Sequence, residues 1–138
     1  MAFMRFACCL AMVIASPLLC PALASEGFPF GSELMLDAPP MQGSKRMPMI
    51  EVEADGTASV DLWCVSFHAQ VTVGEDTITI VPQPPATADA AANSCAPERV
   101  SSDQVLLLAL AQVTAWRRSG DVIQFSGPTT LRFRLMTN

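Results

Sequence analysis

The sequence predicts an α+β domain: an antiparallel, barrel-like β-sheet with one helix packed on it before the last hairpin. Three observations lead there. From Met49 onward, short runs alternate apolar and polar residues with a period of two, and glycine-bearing turn signals separate them. Only one stretch, 102–118, places apolar residues at helical spacing. Two cysteines, Cys64 and Cys95, remain once a leader is set aside, and such a pair suits a small exported fold.

Residues 1–24 read as a signal peptide. Arg5 is the only charged side chain before Glu26, Phe6 to Leu19 is an apolar run, and Ala22-Leu23-Ala24 offers small residues for cleavage after Ala24. Two other readings stand beside it. The uncharged stretch is nearly long enough for an uncleaved anchor, although Pro17 and Pro21 interrupt it. Lipid attachment at Cys20 is the other, with Leu19 where a small residue is wanted. Cleavage removes Cys8, Cys9 and Cys20 and directs the mature chain to the periplasm or the exterior. There Cys64 and Cys95 are expected to form a disulfide closing a loop of about thirty residues, worth roughly 3–4 kcal/mol on the chain-entropy view.

Removing 24 residues from 138 leaves 114, one domain's worth. Acidic residues number 13 against 8 Lys and Arg, for a net charge of −5. Neither nucleic acid nor an anionic membrane surface suits such a chain, because both require clustered cations. Membrane contact is expected only transiently, through the signal peptide.

Residues 25–46 form a lead-in segment rich in Pro, Gly and Met, with a candidate first strand at Leu34-Met35-Leu36; residues 47–138 form the main domain. Ile50, Val52 and Ala54 alternate with Glu51, Glu53 and Asp55, giving a strand whose acidic face is solvated. Asp55-Gly56 signals a hairpin turn. The return strand aligns Ala58, Val60 and Leu62, but Val65, Phe67, Ala69, Val71 and Val73 follow on odd numbers. A strand alternates strictly, so this flip predicts a bulge or kink at Trp63-Cys64.

Gly74-Glu75-Asp76 is the next turn, and Thr77 to Val81 the next strand. Pro82 to Pro97 is a long loop carrying Cys95. The helix is expected from about Ser102 to Arg118. Ser101 stands three residues before Gln104 as in a capping box, and Asp103 suits the helix dipole. Leu106, Ala109, Leu110, Val113 and Arg117 share a stripe flanked by Trp116, and Gly120 is a C-terminal cap. Val122 to Phe125 and Thr130 to Leu135 close the chain as two strands.

This order of features resembles the META/HslJ-like domain family of small bacterial and protozoan proteins, over about Met47 to Leu135. The family's Gly-Cys-Asn followed by x-Phe-x-Gly-x-Tyr is similar to Trp63-Cys64-Val65-Ser66-Phe67-His68-Ala69-Gln70-Val71. Its Thr-rich segment ending Ala-Cys is similar to Ala86 to Cys95, the acid opening its helix to Asp103, and the helix body to Leu107, Ala109, Leu110 and Val113. Trp63, Val65, Ala69 and Val71 replace the family's Gly, Asn, Gly and Tyr. The resemblance implies an envelope or secreted domain, linked in some members to heat induction, drug tolerance or virulence. It carries across no catalytic residues.

The residues predict no enzyme. His68 is the sole histidine and sits on the polar face of its strand. A Cys64–His68 nucleophile pair lies about 13 Å apart along a strand at roughly 3.3 Å per residue. No cofactor is expected, since neither a phosphate loop nor a dinucleotide fingerprint occurs. Met41, Met47 and Met49 are gap fillers or, alternatively, soft thioether ligands for copper. Trp63 is either buried under the long loop or presented outward; if outward, Trp63, Phe67 and His68 form a binding edge. The expected function is envelope stress-related binding or protection, toward an envelope protein or small ligand. The alternatives are inhibition of an envelope-attacking enzyme such as lysozyme, and soft-metal binding.

Overall fold

The computed structural model describes residues 26–83 and 94–137. The signal-peptide reading of residues 1–24, with Cys8, Cys9 and Cys20, and the stretch 84–93 of the Pro/Ala-rich segment lie outside them.

Eight strands form one antiparallel sheet: β1 (Glu33–Leu36), β2 (Met49–Val52), β3 (Thr57–Asp61), β4 (Ser66–Val73), β5 (Ile78–Gln83), β6 (Ala115–Ser119), β7 (Val122–Ser126) and β8 (Leu131–Leu135). Among the described residues one helix, α1 (Pro97–Ala111), lies between β5 and β6. The spatial order is β5-β4-β3-β2-β1-β8-β7-β6. Two meanders, β1 to β5 and β6 to β8, are thus joined by pairing β1 with β8, which sets Leu34 opposite Leu135.

The sheet curls into a half-barrel, and its two edges meet at one point. Thr77 of the β4–β5 turn bridges Ala115 of β6. Around it the Ile78 N–H donates to Thr114 O at 3.1 Å and the Trp116 N–H to Asp76 O at 2.9 Å. The Trp116 indole N–H reaches Gly74 O at 2.9 Å, so the buried indole is satisfied where the edges touch. Such closure hides part of the unpaired backbone that an open sheet exposes.

Period-two alternation explains the core. Leu34, Ile50, Val52, Val60, Ile123 and Phe133 are each at most 2% exposed, while their strand neighbours point outward. Phe125 and Phe133 pack with ring centroids 5.2 Å apart. Ahead of β1, Phe28 lies edge-on to Trp116 at 5.0 Å and nearly parallel to Phe125 at 6.4 Å, extending the core.

The expected turn at Asp55-Gly56 joins β2 to β3, and Gly56 adopts φ +87°. The parity flip after Leu62 has a different cause from a bulge. β3 and β4 form a hairpin pairing Asp61 with Ser66, and the Leu62 N–H donates to Val65 O at 2.8 Å. An antiparallel pair whose residue numbers sum to an odd value carries the inward face from even to odd positions.

The helix begins and ends earlier than its sequence signals. Pro97 stands in the first turn, with Ala96 extended before it and no side-chain cap. Ser101 therefore lies inside α1, and Ser102 donates its hydroxyl back to Glu98 O at 2.9 Å. At the other end Trp116, Arg117 and Arg118 belong to β6, because Trp116 buries its ring from a strand opposite Phe125. Gly120, at φ +64°, makes the β6–β7 hairpin turn instead of capping a helix. The final hairpin is thus a three-stranded meander. No helix among the described residues is long and apolar enough to cross a membrane.

Candidate functional site: the Trp63 corner and the groove beside it

The β3–β4 hairpin loop, Leu62 to Val65, is held to α1 at two points. The first is Asp103, 4% exposed, which enters from the helix. Its Oδ1 accepts the Trp63 N–H at 2.8 Å, and its Oδ2 accepts the N–H groups of Cys64 at 2.9 Å and Val65 at 3.2 Å. Three backbone donors that no strand partner serves are satisfied by one carboxylate, and its charge makes the bonds strong. The second is the disulfide between Cys64 and Cys95, with Cα atoms 5.9 Å apart, across 31 positions of sequence. Cys95 lies two residues ahead of the first residue of α1, so both ties run from the corner to the same helix end.

Trp63 is half-buried and packs against the core. Its indole Nε1 is buried and has no hydrogen-bond partner among the described residues. The ring also forms one wall of a groove of about 290 Å³, completed by Ser102, Val105 and Ala109 of α1 and by Thr129 and Leu131. Val105 is 68% exposed at its rim, and Leu108, 59% exposed, extends the apolar surface along the helix.

Phe67 and His68 are adjacent in β4 and face opposite sides. Phe67 is 6% exposed and points into the core. His68 is exposed, across from Ser59 and Gln83. The structure brings neither to the groove. Next to His68, an open hollow of about 560 Å³ runs past Asp61, Ser66 and Gln83. There Arg46 donates to Asp61 Oδ1 and to Ser66 Oγ, each at 3.1 Å, and Ser66 donates to Asp61 Oδ1. The Cys64 sulfur is bonded to Cys95, which leaves no thiolate for His68 to activate. No group of three His, Cys, Asp or Glu side chains converges among the described residues. Met49 stands opposite Met35 of β1 and Met47 precedes it by two residues, whereas Met41 sits in a turn where its carbonyl accepts the Ser44 N–H at 3.0 Å.

Asp103 as a corner clamp, and Val105 and Leu131 as groove walls, are roles the sequence did not announce. One signal was present. Asp103 precedes Leu106 by three positions and Leu110 by seven, so it lies on the buried stripe, where an acid needs a specific partner.

The family model for the META domain matches residues 32–137. The chain belongs to the META domain family. The match takes in β1, which the sheet places between β2 and β8. No curated protein matches this META domain. Three solved structures resemble it. One, from Burkholderia xenovorans, is 14% identical with a TM-score of 0.56, over 79% of this chain and 84% of that one. A second, also solved by NMR, is 14% identical with a TM-score of 0.52, over 76% and 89%. A DUF4847 family protein from Bacteroides vulgatus ATCC 8482 is 17% identical with a TM-score of 0.48; this META domain covers 63% of its own length and 57% of that protein's. At such identities the first two show a shared fold. Membership identifies a small domain of a family not known for enzymes.

Proposed function

We propose that this META domain is an exported, non-enzymatic binding domain of the cell envelope, acting in protection or stress tolerance. The observation that carries the reading is the groove beside Trp63. Its apolar wall, formed by Trp63 and Val105, is partly exposed. A groove of that kind suits the apolar side chains of an exposed peptide segment. Asp103 and the disulfide support the same reading, because they hold Trp63 in place before any partner arrives and so reduce the ordering cost of binding. The leader-like residues 1–24 support export.

The test pairs a photo-crosslinker at Leu108, exposed beside the groove, with the Val105→Glu and Trp63→Phe variants, each in the full chain. Cells lacking the gene are complemented under envelope stress. Crosslinking to one partner, lost with Val105→Glu together with stress survival, is the expected result. Full rescue by both variants overturns the groove. Inhibition of an envelope-attacking enzyme is assayed in parallel with lysozyme and purified chain. Inhibition that Val105→Glu abolishes makes the attacking enzyme the partner.

A further inference from the structure

β1 and β2 add something that neither strand shows alone. Leu34, Leu36, Pro48, Ile50 and Val52 are buried, so their neighbours face outward. The register pairs Glu33 with Glu51 and Met35 with Met49. The 2.8 Å bond from the Leu36 N–H to Pro48 O carries the ladder one step further, which sets Met47 across from Asp37. The outward face of this ribbon therefore consists of three thioethers and three carboxylates. Met35, Met47 and Met49 are all half-buried.

We propose that Met35, Met47 and Met49, gathered on the outward face of the β1–β2 ribbon, bind a soft monovalent cation of the Cu(I) class. Thioethers are soft ligands that select Cu(I) over the harder divalent ions. Leu36 and Pro48 form the hydrogen-bonded type of antiparallel pair, so Met35 and Met49 form the closer, non-hydrogen-bonded type. Met47 is their diagonal neighbour, within the reach of a long side chain. The three rotatable bonds of methionine let all three sulfurs converge without backbone movement. The charges divide along the ribbon, with Arg134 of β8 opposite Met35 on one side. Glu33 and Glu51 stand directly opposite each other with no ion pair among the described residues, an arrangement that a nearby cation relieves. Asp37 is neutralised by Arg134 at 3.1 Å. Met41, the third methionine of the sequence pattern, is replaced in the set by Met35. This site is separate from the Trp63 groove and does not rest on it.

The experiment titrates the full chain with Ag(I), a redox-stable probe of the same class, after treatment with an alkylating reagent that blocks any free thiol. The expected result is one Ag(I) per chain, with the methyl resonances of Met35, Met47 and Met49 shifting while those of Met41 and Met136 stay. Replacing all three by Leu nearly preserves volume and is expected to weaken binding more than about 100-fold, beyond the cost of losing an outer-shell partner. Val105→Glu should bind Ag(I) like the parent. Equal affinity in the triple variant, or shifts confined to other methionines, overturns the site. Should the triple variant not fold, the methyl shifts of the parent chain decide alone.

Discussion

The carboxylate of Asp103 accepts the backbone N–H of Trp63 at 2.8 Å across 40 positions of sequence. With the amides of Cys64 and Val65 on its other oxygen, this one side chain fixes the reversal between β3 and β4. An acid that the helix dipole alone would place at a helix start instead completes the hydrogen bonding of a distant loop.

Asp103→Ala is expected to destabilise the fold by about 3 kcal/mol or more, since each buried donor left unpaired costs about 1–3 kcal/mol. Asp103→Asn should lose less, because its remaining carbonyl oxygen still accepts. Urea denaturation of the three chains checks the order. An alanine variant as stable as the parent would show that water replaces the carboxylate without loss.

Reduction of Cys64–Cys95 is expected to cost roughly 3–4 kcal/mol. Because both ties hold the same loop, that cost and the cost of Asp103→Ala should not add. A double cycle of denaturation, with and without reductant, measures the coupling. Strict additivity would mean that the two ties act independently.

Gly56→Ala should destabilise by more than the roughly 1 kcal/mol of an ordinary glycine effect. Gly56 has φ +87°, and an added Cβ would lie 2.7 Å from Val71 O. Gly27→Ala is the control, with nothing within 4 Å of its added Cβ. Thermal melts should separate the two variants clearly.

The Asp55 carboxyl is held below its ordinary value of 3.8, first by the Thr57 hydroxyl and then by the Thr57 amide. A lowered native pKa contributes stability that is present above the ordinary carboxylate value and lost as pH falls through the native one. Thr57→Val should raise the Asp55 pKa back toward 3.8 and flatten the acid limb of stability. Carboxyl NMR titration of both chains tests this, and an unmoved Asp55 would discount the hydroxyl.

Much of the sheet was legible along the chain. Ile50 and Val52, Ala58 and Val60, then Phe67, Ala69 and Val71 all face the core as their alternation requires, and Asp55-Gly56 turns where expected. The helical stripe held for Leu106, Ala109 and Leu110, while Val113 is buried from the connection beyond α1. It failed from Val113 onward, because the spacing continues past Ala111 into a connection and then a strand that holds Arg117. Gly120 misled for a related reason: its positive φ serves a hairpin turn as readily as a helix cap.

By itself the sequence determined which residues of each segment turn inward, since a period of two or 3.6 is a local property that burial must respect. It also determined membership in the META domain family, carried by Cys64, Phe67, Cys95 and the order of elements. Only the tertiary structure decided that Leu34 lies against Leu135, that β6 is a strand, that Met35 joins Met49, and that Asp103 answers the amides of Trp63, Cys64 and Val65. Those are partnerships between distant segments. They are selected when the sheet closes and every buried donor must find an acceptor, a condition that no window of neighbouring residues contains.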